Sequence, residues 1–411
     1  MVEVRPFRAI RYDHTRFGGD LSSVIAPPYD VLDQRDKDRL LSGSDRNIVA
    51  IDLPHIPPKS LGPPEAYQRS ARTLQAWLDD GTLVREEKPA FYLYHQVFEH
   101  QRRTYTRRKF IARMRLVPFS EGAVLPHEET FGGPKEDRLA LTKACRCNVS
   151  PVFGLYADPQ DAVGQAFAQA AARTPDVIAT MDGVENRLWI VTDAETREAV
   201  TGIMATKRIF IADGHHRYGT ALNYRAYVTE QRGPLPDDHP ANFVMMVLGS
   251  MDDPGSLILP YNRVLVGPDA SVDKLTKAWA AGCEVTDAAS ADLVLYAGAA
   301  RSGHPLRFTD RAKLGQLEPR RSEAWRSLDV AYLHRYLIDE LAKALQLSVR
   351  YVKSADDARA VARDENGVAL LLRATRMEQL RAVSQSGELM PQKSTYFHPK
   401  LATGLAISPL S

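Results

Sequence analysis

Cysteine is scarce, with three residues in a chain of 411. That excludes a disulfide framework of the kind small secreted domains use in place of a core. A dominant charge is also missing. Lys and Arg number 53 against 51 for Asp and Glu, a formal charge of +2. The global positive field that supplies most nucleic-acid affinity is therefore absent, which speaks against a large nucleic-acid footprint. No apolar run approaches the roughly 18 residues that a membrane-spanning helix needs, so no membrane partner is expected. Met1 to Arg8 lack the apolar core of a signal peptide, and the expected location is cytoplasmic. No Gly-rich phosphate loop ending in Lys-Ser/Thr, no dinucleotide glycine fingerprint and no internal repeat is present. What remains is an ordinary globular composition, 44% hydrophobic and 25% charged, in a chain long enough for two domains.

Elements follow from spacing. Tyr67, Ala71, Leu74 and Leu78 share one helical face over Glu65 to Asp80, and Gly81 stops that helix. Ala90 to Glu99 and Thr104 to Val117 are rich in aromatic and β-branched residues around a polar His100-Gln101-Arg102-Arg103, which predicts a hairpin. Pro118 to Asn148 is polar and without hydrophobic period, and is expected to be irregular and functional. From Ser150 strands and helices alternate, including a strand over Arg208 to Ala212 and a helix over His216 to Gln231. The pattern predicts an α+β fold of mixed sheets with interleaved helices. A main domain over 1–265 is expected to carry the site. A smaller α/β unit over 266–411 follows, its last segment packing back on the main domain.

The sharpest chemical signal is Ile209-Phe210-Ile211-Ala212-Asp213-Gly214-His215-His216-Arg217-Tyr218. An apolar strand runs through a glycine turn into a helix whose first-turn amides and positive dipole end favour an anion. Gly214 lets backbone approach a ligand, Arg217 offers a bidentate phosphate fork, and His215 and His216 are further donors. The competing explanation is a structural turn with satisfied histidines. The second signal is Pro126-His127-Glu128-Glu129-Thr130 followed by Lys135-Glu136-Asp137-Arg138. Here His127 and Glu128 or Glu129 have the chemistry of a general base or of divalent-metal ligands. Lys135 and Arg138 have that of phosphate binding or transition-state neutralisation, and a solvated charge run is the competing explanation. Cys145 and Cys147 read as two ordinary thiols. Arg102-Arg103 and Arg107-Arg108-Lys109 make a basic hairpin whose simplest reading is a solvated strand face. Met390 to Lys400 forms a third polar and aromatic cluster whose basic groups have the reach to meet an anion.

Several ordered motifs resemble the domain of unknown function 1015 family. They are Arg5-Pro6-Phe7-Arg8-Ala9, Ala26-Pro27-Pro28-Tyr29-Asp30-Val31, His127-Glu128 with Lys135 to Arg138, Ala212 to Tyr218, Leu259-Pro260 with Arg263-Val264, and Lys393 to Phe397 with Pro399-Lys400-Leu401. The Asp213 to Arg217 turn also resembles the phosphate-binding box of the ParB and sulfiredoxin superfamily, which free serine kinases share. That second resemblance implies a ParB-like phosphate-binding turn and a glutamate that activates a serine hydroxyl.

The leading expectation is a small-molecule kinase that moves a nucleotide phosphoryl group to a hydroxylated metabolite, with free L-serine the acceptor implied by resemblance alone. Phosphoryl transfer asks mainly for positioning and charge neutralisation. Asp213, Gly214, His215, His216 and Arg217 would hold phosphates of ATP or ADP. Glu128, with His127, would handle the acceptor proton, while Lys135 and Arg138 would neutralise charge. Glu129 and Asp213 would hold Mg²⁺. The alternatives are a phosphoester hydrolase acting on a substrate such as phosphoserine and a non-enzymatic ParB-like nucleotide switch.

Overall fold

The computed structural model describes residues 2–58, 60–127, 133–298, 300 and 302–411. The chain clusters into two compact units. One holds the residues up to Pro126, the chain on to Leu257, and Pro399–Ser411; the other holds Ile258–His398 together with His127. No helix among the described residues is long and apolar enough to cross a membrane.

The first unit is built on a nine-stranded sheet. In chain order its strands are β1 (Val4–Arg5), β2 (Phe91–His100), β3 (Arg103–Arg115), β4 (Val124–Leu125), β5 (Val152–Tyr156), β6 (Val177–Met181), β7 (Val184–Val191), β8 (Ile209–Asp213) and β9 (Phe243–Ser250). The order across the sheet is β4-β8-β5-β9-β3-β2-β7-β6, with β1 paired to β3. β8 runs parallel to β4 and β5 parallel to β9, while the other neighbours are antiparallel, so the sheet is mixed. The predicted hairpin forms as β2–β3. Gln101 and Arg102 both take positive φ, 49° and 62°, as the turn that matches strand twist requires.

The two faces of this hairpin differ in chemistry. Phe91, Leu93, Phe110, Ala112, Met246 and Leu248 belong to the apolar core. On the opposite face the basic residues are not solvated as the sequence suggested, because Arg107 and Lys109 are fully buried. Arg107 donates to Gln96 Oε1 at 2.5 Å, Lys109 donates to the same oxygen, and Tyr94 donates to Asn186 at 2.6 Å. Burial, reinforced by the Arg107 charge, holds the Lys109 ammonium well below its ordinary pKa. A strand alternates faces, so Arg108 points the other way and keeps an exposed guanidinium.

Helices α1 (Val49–Asp52), α2 (Pro64–Asp79), α3 (Gly133–Cys145), α4 (Ala194–Ala205) and α5 (His215–Arg232) complete the frame. α3 lies within the stretch expected to be irregular. Its buried positions, Asp137, Arg138, Leu141, Thr142 and Cys145, do follow helical spacing. Three of those five are polar, so a search for hydrophobic period passes over them.

In the second unit β10 (Asn262–Val266), β11 (Cys283–Val285), β12 (Leu293–Ala297), β13 (His304–Phe308), β14 (Ser348–Val352) and β15 (Val368–Leu372) form an antiparallel sheet in the order β11-β13-β12-β15-β10-β14. His127 belongs to this unit. It is buried, with Nε2 2.9 Å from Thr395 Oγ1 and its ring edge-on to Phe397.

Candidate functional site

β8 ends in an irregularity. Ile211 pairs with Gly154 and Asp213 with Phe153, so Ala212 is the extra residue of a bulge. A bulge re-aims the side chain that follows it, here Asp213. Gly214 then takes φ 90°, a left-handed conformation, and opens the 18-residue α5. Tyr218 anchors that helix from below: its hydroxyl donates to Val117 O at 2.8 Å and accepts from Val117 N at 3.1 Å.

Arg217 folds back over the turn. A Cβ on Gly214 would sit 2.9 Å from Arg217 Nε and 3.0 Å from Cζ. Gly214→Ala therefore combines left-handed strain with displacement of the guanidinium. It should lower stability by about 1–3 kcal/mol in urea unfolding and weaken any ligand held by Arg217.

Asp213 is the hub of the turn. Oδ1 lies 3.3 Å from Arg217 Nη2, and Oδ2 accepts from Lys400 Nζ. Burial alone would push this carboxyl up, but the Lys400 ammonium and the Arg217 guanidinium outweigh it and hold the group well below the usual range. Arg217 also donates to Pro151 O. Lys400 is fixed by its own backbone, because Gln96 Nε2 donates to Lys400 O at 3.0 Å and Arg107 donates to Pro399 O. The buried basic face of the hairpin thus holds the segment that delivers Lys400.

A second charge network lies alongside. Arg138 donates to Asp137 Oδ2 at 2.8 Å and to Asp52 O at 2.7 Å, and it stacks 3.8 Å from the Tyr29 ring centroid. Asp137 also accepts from Tyr67 at 2.8 Å, and His55 Nε2 lies 3.0 Å from it. Burial, with help from Asp137, pushes the Tyr67 hydroxyl up to about 12. Asp52 accepts from Ser150 at 2.6 Å, and its Oδ2 is buried with no hydrogen-bond partner among the described residues. Burial raises the Asp52 carboxyl against the opposing pull of Arg138, Ser150 and Arg217. Asp52, Arg138, Ser150, Arg217 and Thr220 line one small cavity. The two networks therefore meet there. Tyr29 feels both arginines, and Asp30 acts on Arg217.

A family model described as "Protein of unknown function (DUF1015)" matches residues 4–331. The chain belongs to the DUF1015 family. In this DUF1015 protein Lys400 lies beyond the matched span, although it shares Asp213 with Arg217. No curated protein matches the chain by sequence. Among solved structures, a free serine kinase in complex with AMP is 12% identical, covering 72% of this chain and 92% of that one, at a TM-score of 0.32. A conserved hypothetical protein from Pyrococcus furiosus is 14% identical over 72% and 95%, with a TM-score of 0.33. SbnI with a C-terminal truncation from Staphylococcus aureus is 11% identical over 73% and 87%, with a TM-score of 0.38.

Of the residues singled out in the sequence, Asp213, Gly214, Arg217 and Arg138 fall in this one region of the DUF1015 protein. His215 is buried beside Asp213 and His216 is half-buried. Lys135 rests its stem on α5, with Cε 3.1 Å from where a Gly219 Cβ would stand. Arg138 is committed to Asp137 and Asp52, a supporting position rather than an open one. Glu128 and Glu129 lie outside the described residues. Among the described residues no three His, Cys, Asp or Glu side chains gather as a metal site, and both oxygens of Asp213 face cations. Asp52, Tyr29 and Ser150 were not singled out as site residues. The Pro27-Pro28-Tyr29-Asp30 motif was the available signal for Tyr29, while Asp52 closes a four-residue helix and carries none.

Proposed function

We propose that the first unit is a small-molecule phosphotransferase whose β8–α5 turn holds the phosphates of a nucleotide. The observation that carries this reading is the sharing of Asp213 by Arg217 and Lys400 at the amino end of a long helix. Two cations from positions 183 residues apart in sequence are held by one carboxylate at the amino-terminal turn of α5. Their ion pairs pre-pay the ordering of both side chains, so little reorganises when charge develops on a transferring group. Lys135 supplies a further cation along α5. Glu128 takes the acceptor proton in this scheme, a role that rests on the family resemblance, as does L-serine as acceptor.

The charge balance bears on the cofactor. Asp30, Asp52, Asp137 and Asp213 stand among Arg138, Arg217 and Lys400, so the region is not a strongly positive trap. A nucleotide carrying Mg²⁺ suits that balance better than a bare polyanion. Hard carboxylate oxygens fit this ion, which is commonly held by one or two carboxylates plus substrate phosphates rather than by a protein cage. Asp52, whose Oδ2 has no hydrogen-bond partner among the described residues, is the carboxylate available for it, since both oxygens of Asp213 already face cations.

Phosphorus NMR of the full chain with Mg²⁺, ATP or ADP, and L-serine tests the reading. A phosphomonoester peak that needs serine is expected, and Arg217→Ala should reduce its rate about 10²–10³-fold. EDTA should abolish it. Inorganic phosphate released without an acceptor would favour the hydrolase. Unaltered nucleotide with every acceptor, or full turnover by Arg217→Ala, would overturn the proposal.

A further inference from the structure

The apolar face of the sheet carries a second cavity, away from the Asp213 turn. It measures about 280 Å³, near the lower end for small-ligand sites of roughly 300 Å³ and above. Leu93, Phe110, Tyr156, Val163 and Phe167 make its floor and walls. Two short helical turns, Ala162–Ala166 and Ala168–Ala171, roof it and are separated at Phe167.

Arg108, Asp161, Asp253 and Ser250 line its polar end with His95; Gln165 and Lys109 line it too, but the Lys109 ammonium is committed to Gln96. Asp253 is the fixed member: its side chain is 2% exposed, and it accepts from Arg108 N at 2.8 Å with Arg108 Nε at 3.5 Å. Arg108 Nη1 also donates to Asp161 Oδ2 at 2.9 Å, in a pair exposed by 42% and 45%. An exposed pair of this kind contributes little and opens at small cost. Asp161 is held at φ 53°, a strained conformation for a residue other than glycine, and its carboxylate overlies Gly164. Burial first, then the charges of Lys109 and Arg108, push His95 down to about 4, so at neutral pH the imidazole adds no charge to the wall.

An apolar chamber with one guanidinium and two carboxylates at its polar end suits a particular ligand chemistry. We propose that this cavity binds a small zwitterion with an apolar body, of the size and kind of an aromatic or large aliphatic α-amino acid. The apolar group fills the chamber over Leu93 and Val163, against the contacting rings of Phe110 and Phe167. The α-carboxylate replaces Asp161 on the outer edge of Arg108, and the α-ammonium meets the released Asp161. Arg108 keeps its bond to buried Asp253 throughout, so it is never left unpaired. This site is separate from the phosphotransferase proposal and stands whether or not that reading does.

Calorimetric titration of the full chain with L-phenylalanine, 3-phenylpropionate and 2-phenylethylamine tests it. L-Phenylalanine is expected to bind saturably, and each half-probe about tenfold more weakly, since each forfeits one charge-assisted contact. Arg108→Gln and Asp161→Asn should each weaken L-phenylalanine about tenfold. Asparagine tolerates left-handed backbone, so Asp161→Asn should keep the fold, and its circular dichroism melt verifies that. Val163→Trp should fill the chamber and abolish binding. No saturable binding of any probe, equal binding of the amine alone, or undiminished binding by both charge variants would each overturn the inference.

Discussion

Arg138→Ala is expected to cost about 3–5 kcal/mol of folding stability, because it leaves buried carboxylates without their cation. The Arg138 side chain is 5% exposed, and Asp137 and Asp52 beside it are 0% and 4% exposed. The substitution removes the hydrogen bonds to Asp137 and Asp52 and the stack on Tyr29 together. Urea unfolding measures the loss. The pH dependence should carry the signature of the mechanism. Without Arg138 the Asp52 carboxyl, which burial already raises, rises further above its unfolded value near 4. An acid with a raised folded pKa is destabilising above that value, so the deficit should shrink as pH falls through it. Adding Asp52→Asn and Asp137→Asn to the variant should recover much of the loss, since neutral groups cost less to bury. A deficit below 1 kcal/mol, or one that grows on acidification, would contradict this account.

Ending the chain at His398 should unfold or strongly destabilise the first unit. Pro399–Ser411 is woven into that unit rather than laid over it. Thr403 exchanges backbone hydrogen bonds with Ala26, Ile407 with Ile10, and Leu410 N donates to Arg146 O. Leu401, Leu405, Ile407 and Leu410 are buried. At about 1.5–3 kcal/mol for each large apolar side chain, their loss alone rivals the 5–15 kcal/mol stability of a typical domain. Arg107 and Gln96 would also lose the carbonyls they hold. The milder Lys400→Met separates charge from packing. It keeps the stem but leaves Asp213 with Arg217 alone, so the depressed carboxyl should return part of the way toward the usual range. In the native protein this carboxyl contributes stability above its unfolded pKa, and that contribution is lost as pH falls through the depressed folded value. The variant should therefore lose a contribution at neutral pH that the native chain loses only in strong acid, and its nucleotide binding should weaken at least tenfold. A chain ending at His398 that retains a native melt, or Lys400→Met with native binding, would refute the assignment of this segment.

Some of the site could be read before any coordinates. Ile209 to Tyr218 shows its strand, turn and helix because an apolar run, a glycine and a helical period adjoin in one short window. Gly214 makes the expected turn, in a left-handed conformation. The β2–β3 hairpin was legible for the same reason, since its turn is four consecutive residues. α3 was not, because three of its five inward residues are polar, and periodicity counts apolar groups. Arg107 and Lys109 were misread as solvated. A charged residue in a strand is a surface residue unless a distant partner covers it, and their cover comes from Gln96 and from Pro399.

Local order over two short windows was thus set by the sequence alone: the strand, glycine turn and helix of Ile209 to Tyr218, and the two strands and polar turn of the β2–β3 hairpin. Only the tertiary structure decided which charges are buried together. Lys400 reaches Asp213, and Arg138 reaches Asp52, across 187 and 86 residues. Backbone preference and hydrophobic period act over a few residues, so both are visible in a short window. The cost of burying a charge is offset only by the group folded against it, and that group is chosen by the whole chain.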